Sequence, residues 1–158
     1  MGWMRKILRV GRVAEPQPAA PPRIEAPAAV RDSLQLRHVD VGSCNGCEVE
    51  ISGAFGPIYD AERYGARLVA SPRHGDGLLV TGVVTRNMAE ALRRTYAATP
   101  GPKVVIACGD CALNRGVFAN AYGVAGTVGE VVPVDVAIPG CPPPPEAIVA
   151  ALRSVTGR

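Results

Sequence analysis

The residues of this chain best suited to chemistry are its five cysteines, which fall into three separated groups. Two of the groups are C-x-x-C pairs, and the last cysteine stands alone. The groups are Cys44 with Cys47 in VGSCNGCEVE, Cys108 with Cys111 in ACGDCALN, and Cys141 in PGCPPPPE. Thiolates at such spacings bind metal ions or iron–sulfur clusters, and a C-x-x-C pair can also carry out thiol–disulfide exchange.

The expected cellular compartment and the composition limit which of these kinds of cysteine site the chain can form. The odd number of cysteines excludes complete disulfide pairing, and the first residues, MGWMRKILR, lack the apolar region of a secretory signal. Without export, clustered cysteines indicate metal binding or redox chemistry. No apolar run reaches the roughly 18 residues that a transmembrane helix needs. The net charge of +3 is too small and too dispersed to indicate a nucleic-acid partner.

Strand and helix patterns alternate along the chain from about Ser33 onward. This alternation predicts an α/β domain of the flavodoxin-like, three-layer type, with a mostly parallel sheet of five strands and three main helices. Thr85 is expected to cap the middle helix, and Pro100 with Gly101 to end it. Strands are predicted at 34–41, 67–70, 77–83, 103–107 and 131–138, and helices at 85–98, at 144–155 and from the start of 45–60.

Each cysteine group follows a predicted strand. Because the carboxyl ends of parallel strands lie at one edge of the sheet, three distant segments would bring thiols to the same rim. Glycine beside a ligand allows sharp turns and a close approach of the backbone, and the cysteines are flanked by Gly42, Gly46, Gly109 and Gly140. The sequence therefore predicts one shared thiol site.

The spacing leaves three kinds of site open. A 4Fe–4S cluster is favoured, because its four cysteine ligands need not be close in sequence. Structural zinc is the first alternative, but its pairs usually lie about 15–20 residues apart, much closer than Cys47 and Cys108. A thioredoxin-like pair is the second alternative. It would use only Cys44 and Cys47 and leave three cysteines unexplained.

The chain before the domain has a different character. Residues 13–32 are rich in proline and alanine, which is typical of a semi-rigid linker. Residues 1–12 predict an amphipathic segment that docks on a membrane surface or in a partner groove. Its apolar helical face would carry Trp3, Met4, Ile7 and Leu8. We therefore expect a docking segment at 1–12, a linker at 13–32 and the cysteine-bearing domain at 33–158.

Three segments, CNGCEVEI, GDCALNRGVF and VPVDVAIPGCPPPPE, together resemble one protein family. They are similar to the small, cluster-carrying subunit shared by membrane-bound, energy-converting nickel–iron hydrogenases and respiratory complex I. The resemblance runs from about Leu34 to the C-terminus. The C-x-x-C form favours the hydrogenase or formate hydrogenlyase branch, because the complex I branch characteristically has two adjacent cysteines there.

This resemblance implies a particular ligand set. One 4Fe–4S cluster would be held by Cys44, Cys47, Cys111 and Cys141, which leaves Cys108 as an additional, small buried residue. The family also places an acid shortly after the second cysteine. Glu50 matches that acid and is a candidate proton relay, with Glu48 as a weaker candidate.

Five further positions carry weaker expectations. Asn114 and Arg115 stand where the family often has glycines, which is a departure from its pattern. Asp110 is expected to be a turn residue. His38 and His74 lack metal-ligand spacing, and the second of these is expected at the surface.

By the same resemblance, the chain would be a non-autonomous electron-transfer subunit of an oxidoreductase. Its cluster would lie next to the active site of a large nickel–iron subunit that interconverts protons and hydrogen. The alternatives are a complex I-type subunit that passes electrons to quinone, a nickel-free related complex and, more remotely, a zinc-stabilised binding module. The expected partners are that large subunit, a ferredoxin-like iron–sulfur subunit and membrane subunits. The expected location is peripheral, on the cytoplasmic side of the cell membrane.

Overall fold

The computed structural model describes residues 30–158 together with Met4, Arg5, Arg9 and Gly11. The predicted docking segment at 1–12 and most of the predicted linker at 13–32 otherwise lie outside the described residues. The strands of the described part are β1 (Leu34–Asp40), β2 (Ala66–Leu68), β3 (Gly77–Thr81), β4 (Val84–Thr85), β5 (Val104–Cys108), β6 (Val124–Gly126) and β7 (Val136–Ile138). The α-helices are α1 (Gly46–Ala54), α2 (Arg86–Ala98), α3 (Asp110–Asn114) and α4 (Pro145–Thr156).

Five strands form one parallel sheet in the order β2-β1-β3-β5-β7. Along the chain this is the order second, first, third, fourth, fifth, which defines the flavodoxin-like doubly wound fold. The direction of winding reverses between β1 and β3, where such folds bind ligands beyond the carboxyl ends of the strands. The predicted fold class is confirmed.

Helices cover both faces of this sheet. Val104, Ile106 and Cys108 alternate along β5 and pack in one buried cluster with residues of α1 and α4. Val105 and Ala107 point to the opposite face and pack with residues of α2 and α3. Because both faces of the sheet are covered, every residue of β3 and β5 is buried, and all but Thr81 are apolar or glycine.

The predicted strand at 131–138 is wrong over its first five residues. Only Val136–Ile138 joins the sheet. A turn of 3-10 helix at Val128–Glu130 precedes it, started by a capping box between Thr127 and Glu130. Pro133 has no N–H to donate to a neighbouring strand. Apolar composition alone suggested a strand that local turn chemistry prevents.

The end of the predicted strand at 77–83 also differs. Gly82 adopts a φ of 82°, and a Cβ there would collide with the backbone of Ser43. The chain turns at this glycine, and β4 pairs instead with β6 in a small antiparallel sheet. Thr85 does precede α2, but its hydroxyl donates to the carbonyl of Val41 at 3.1 Å and does not cap the helix. The sequence also did not predict α3, β4 or β6.

Candidate metal centre

The first cysteine loop, residues 41–46, connects β1 to α1 and carries Cys44. The backbone N–H groups of Gly42 and Ser43 both donate to Oδ1 of Asp40, each at 2.8 Å. Burial opposes ionisation of Asp40, but these donors outweigh it and hold the pKa of the carboxyl below its usual value. The loop is therefore anchored at its start by a carboxylate.

Cys47 lies just beyond that loop, in the first turn of α1. The N-terminus of a helix carries partial positive charge, which stabilises a thiolate. Its sulfur also lies against Gly109, because a Cβ built on that glycine would be 2.5 Å from Sγ of Cys47. The first and second groups of cysteines are therefore in contact, although they are distant in sequence.

The second cysteine loop, residues 109–111, is tied to the third, residues 139–144. Asp110 donates its N–H to the carbonyl of Gly140 at 2.8 Å, and its Oδ1 accepts the N–H of Gly140 at 2.8 Å. Gly109 donates its N–H to the last residue of β7, also at 2.8 Å. The predicted turn residue thus holds together the two loops that bear Cys111 and Cys141.

The four thiols of the predicted ligand set share one region of the carboxyl edge. Cys44 and Cys141 are exposed, Cys47 is half-buried, and Cys111 is 8% exposed. Burial raises the pKa of Cys111, and the negative charges of the three other thiolates raise it further. The predicted convergence of three segments is therefore present in the fold.

Cys111 also receives a backbone donor. The N–H of Val117 donates to its sulfur and partly opposes the rise of its pKa. Gly116 makes this approach feasible, since a Cβ there would lie 2.9 Å from Sγ of Cys111. Arg115 adopts a φ of 69°, a conformation that glycine favours. Its guanidinium binds both carboxylate oxygens of Glu130 at 2.8 and 3.1 Å, which stabilises the loop in place of the glycine expected there.

Cys108 is fully buried, as predicted, and its thiol is hydrogen-bonded to that of Cys47. This hydrogen bond lowers the pKa of Cys47 and, with burial, raises that of Cys108. Of the two thiols, that of Cys47 therefore loses its proton more readily than that of Cys108.

Glu48 and His38 form a second polar pair beside the thiols. Both carboxylate oxygens of Glu48 are buried without a hydrogen-bond partner, and Nε2 of His38 lies 3.6 Å from one of them. The same Nε2 lies 2.9 Å from the hydroxyl of Thr81. The carboxylate of Glu48 acts electrostatically on Cys47, whereas that of Glu50 acts on Tyr59. The structure thus places the two glutamates in different surroundings.

We expect His38 to make folding stability depend on pH. Burial is the main cause that lowers its pKa, which therefore lies below the usual value of 6.5. A lowered pKa contributes stability that is complete above 6.5 and is lost as the pH falls through the folded-state pKa. Replacing His38 by Gln should flatten the decline of the unfolding free energy on this acid side, measured by urea unfolding at several pH values. A decline as steep as in the wild type would contradict the assignment to this histidine.

The donor set fits an iron–sulfur cluster better than a single ion. In the described part of the chain, no three His, Cys, Asp or Glu side chains form a group able to hold one metal ion. A tetrahedral zinc site needs its thiolates about 2.3 Å from one centre. A 4Fe–4S cluster is larger and takes four thiolates that surround it more widely. The four thiols, which act electrostatically on one another at Cys111, suit that larger group.

Two residues of the site are not apparent from metal-ligand spacing. His38 shares the alternation of Leu34 and Leu36 along β1 and so points to the α1 side of the sheet. Its position near the carboxyl end of β1 is the sequence feature that indicates a place beside the cysteines. Nothing in the sequence indicated that Asp110 would bond to the third loop. His74 is exposed, as predicted.

The parallel sheet and the thiols gathered at its carboxyl edge define an α/β protein of the kind that can bind an iron–sulfur group through cysteine. The chain belongs to the family described as NADH ubiquinone oxidoreductase, 20 kDa subunit, which matches residues 44–155. This is a family of iron–sulfur cluster-binding subunits of hydrogenases and complex I. The resemblance noted from the three motifs is confirmed.

Two curated relatives are subunits of hydrogen-metabolising complexes. The chain is 52% identical over 112 residues to the probable membrane-bound hydrogenase subunit mbhJ of Pyrococcus furiosus, covering 71% of this chain and 67% of the relative. It is 44% identical over 128 residues to formate hydrogenlyase subunit 7 of Escherichia coli, covering 81% of this chain. The chain thus spans 50% of the length of that second relative.

A solved structure supports the same placement. A chain of the membrane-bound sulfane sulfur reductase, an archaeal respiratory membrane complex, superposes with a TM-score of 0.71 at 35% identity. The match covers 82% of this chain and 71% of that one. These relatives belong to multi-subunit complexes with catalytic and membrane partners. Among the described residues, no helix has the length and apolar character required to cross a membrane.

Proposed function

We propose that this chain is the electron-transfer subunit of a membrane-bound hydrogenase complex. It would hold one 4Fe–4S cluster next to the active site of a larger partner subunit through Cys44, Cys47, Cys111 and Cys141. The observation that carries this proposal is the meeting of these four thiols at one edge of the sheet, two of them exposed and one almost fully buried. When bound, such a cluster supplies one-electron transfer.

The residues around the thiols have separate tasks in this proposal. The N–H of Val117 and the N-terminus of α1 stabilise thiolate charge at Cys111 and Cys47. Asp110 and Asp40 hold the loops in place through backbone N–H groups, so little rearrangement is needed on binding. Hydrogen bonds and burial around the sulfurs set the reduction potential. The chain's own contribution is therefore ligation, positioning and tuning.

The surface next to the proposed ligands suits a protein partner. Val49 lies two residues after Cys47 and is 66% exposed, and Val117, whose N–H donates to the sulfur of Cys111, is 80% exposed. Apolar side chains left open beside a polar site mark an interaction surface. We assign this rim to the large subunit, whose active site it would bring close to Cys44 and Cys141.

Three finer elements of the proposal concern protons, partners and location. Glu50 is a candidate proton relay. It lies on α1, is half-buried and acts electrostatically on Tyr59, which is compatible with that role. A ferredoxin-like iron–sulfur subunit would exchange electrons with the complex. Residues 1–12 would attach the chain peripherally to the membrane arm on the cytoplasmic side, with residues 13–32 as the linker.

A nickel-free complex is the second candidate function. The observation that favours it is the 35% identity to a subunit of a sulfane sulfur reductase, which shows that a similar chain serves a different reaction. The complex I-type alternative, with quinone as the acceptor, is less favoured because the C-x-x-C spacing of Cys44 and Cys47 separates the two cysteines.

Metal analysis of the intact complex tests the proposal. We expect the anaerobically purified complex to contain iron and sulfide that include four of each for the cluster of this chain, together with stoichiometric nickel. It should also catalyse hydrogen-dependent reduction of an artificial acceptor. Iron and sulfide without nickel would replace the hydrogenase by the nickel-free or quinone-reducing alternative. Zinc, or no metal, in a folded preparation would reject the cluster itself.

A further inference from the structure

We propose that Asp110 is a positioning residue that holds Cys141 at the cluster and thereby slows the loss of the iron that this cysteine binds. It acts through Gly140, the residue directly before Cys141. The inference rests on the proposed function, because Cys141 must be a ligand for its position to matter. Asp110 lies outside the proposed ligand set, and its task is to accept and donate hydrogen bonds.

Cys141 lies in a segment with few means of holding its own shape. Residues 139–144 read PGCPPP and connect the end of β7 to the start of α4 without being part of a helix or strand. Proline has no N–H, so only Gly140 and Cys141 can donate a backbone hydrogen bond in this segment. Cys141 is also exposed, so burial does not restrain its side chain. The position of this thiol therefore depends on what holds its neighbour.

Asp110 binds both polar groups of the Gly140 backbone. Its Oδ1 accepts the N–H of Gly140, and its own N–H donates to the carbonyl of Gly140, each at 2.8 Å. We call this pair of hydrogen bonds the Asp110 clamp. Asp110 is held in turn, because the N–H of Gly109 donates to the carbonyl of Ile138, where β5 and β7 end. The clamp therefore ties the segment of Cys141 to the central sheet, directly beside Cys111.

The restraint at Gly140 passes to Cys141 through a tight turn. Gly140 adopts a φ of 137°, and a Cβ there would lie 2.6 Å from Cα of Pro143. Gly140 thus lies against a residue on the far side of Cys141, and that residue is buried. The turn that carries the thiol is therefore fixed before it by the Asp110 clamp and after it by Pro143.

A thiolate that is held close to its iron binds again before the iron escapes. Without the clamp, Cys141 would move away whenever its bond to iron opens, and its exposed position gives water and chelators access to that iron. Loss of a residue that orients a metal ligand typically costs about 10–100-fold in metal affinity. We expect iron release to change by a similar factor when the clamp is removed.

Asp135 provides a matched control at the other end of β7. Its Oδ2 accepts the N–H of Val105 at 2.7 Å, and its own N–H donates to the carbonyl of Val105 at 2.9 Å. This is the same pair of hydrogen bonds, but it joins β5 to the residue before β7, whereas the cysteines lie at the carboxyl edge of the sheet. Asp135→Ala therefore removes an equivalent support and leaves the segment of Cys141 in place.

Iron release from the full chain tests this proposal. The chain is loaded anaerobically with iron and sulfide, and an iron chelator is then added. Asp110→Ala should release iron about 10–100-fold faster than the wild type, whereas Asp110→Asn keeps an acceptor oxygen and should release iron at nearly the wild-type rate. Asp135→Ala should lower the free energy of unfolding and still retain iron as the wild type does. Alkylation by iodoacetamide during release should modify Cys141 before Cys44 in Asp110→Ala.

A second readout needs neither the cluster nor a variant that loads well. In the metal-free wild-type chain, the N–H of Gly140 should exchange with deuterated water more slowly than an unprotected glycine amide, as measured by nuclear magnetic resonance. Asp110→Ala should lose this protection. A Gly140 amide that exchanges like an unprotected one in the wild type would overturn the proposal, because the clamp would then not hold the segment in solution.

The contrary outcomes of the release experiment are distinct. Equal rates for Asp110→Ala and the wild type would overturn the positioning role and leave the proposed function standing. Equally fast release from Asp110→Ala and Asp135→Ala would also overturn it, because the effect would then be a general loss of stability. Fast release from Asp110→Asn would exclude the acceptor oxygen as the cause and overturn the clamp. Absence of a cluster from the wild-type chain and from the wild-type complex would reject the proposed function first.

Discussion

Replacing Cys141 by Ser should empty the complex of this chain's cluster and abolish electron transfer through it. Loss of an outer-shell partner alone costs about 10–100-fold in metal affinity, and loss of one of four ligands should cost more. Cys141 is exposed, so the substitution removes a ligand without opening a cavity in the core. Iron and sulfide content measures the loss of the cluster. Near-ultraviolet circular dichroism shows whether the chain is still folded.

The matched control is the same exchange of sulfur for oxygen at Cys108. That variant should keep its four iron atoms, because the hydroxyl occupies the buried site without withdrawing a ligand. A complex that carried Cys141→Ser and still gave an intact cluster signal would refute the proposed ligand set. Equal iron loss in both variants would show that ligation extends to Cys108.

Replacing Gly109 by Ala should also remove the cluster, although this residue is not a proposed ligand. Its φ of 92° and ψ of 155° lie in a region that essentially only glycine populates, and forcing another residue there costs about 1–3 kcal/mol. The new Cβ would lie 2.5 Å from Sγ of Cys47, so it would collide with a proposed ligand and displace its sulfur. We expect most of the iron to be lost and the unfolding free energy to fall, as measured by iron analysis and urea unfolding.

Gly123→Ala is the control for this effect. It makes the same chemical change at a glycine whose Cβ would meet nothing within 4 Å. Iron content and unfolding free energy should both stay close to the wild type. If Gly109→Ala bound iron as fully as this control, the close contact between the second loop and Cys47 would not be needed for binding.

The main architecture was predictable because its determinants are local and repeated. The apolar runs of β3 and β5 and the amphipathic pattern of 85–98 led directly to a doubly wound parallel sheet. The pairing of β4 with β6 was not predictable, because it depends on where Gly82 turns the chain against Ser43. That contact joins segments that carry no mutual signal in the sequence. The same holds for Pro133 and the capping box that shorten β7.

The candidate site likewise has features that the sequence predicts and features that it does not. Three cysteine groups after three strands predicted a shared rim, because parallel strands end at one edge. The links between the loops could not be predicted, since the double hydrogen bond of Asp110 with Gly140 depends on the distance between two turns. The orphaned carboxylate of Glu48 beside His38 depends likewise on the exact rotation of α1. Distances between loops belong to tertiary structure, and the sequence shows only which residues are available.

The uneven burial of the cysteines has a consequence for biogenesis. In the proposed ligand set, Cys111 and Cys47 are the more buried thiols, whereas Cys44 and Cys141 are exposed. Iron and sulfide would then reach the site from the side of the exposed thiols, which the proposed large subunit would cover. We therefore expect the cofactor to be inserted before the two subunits join, with docking delayed until loading is complete.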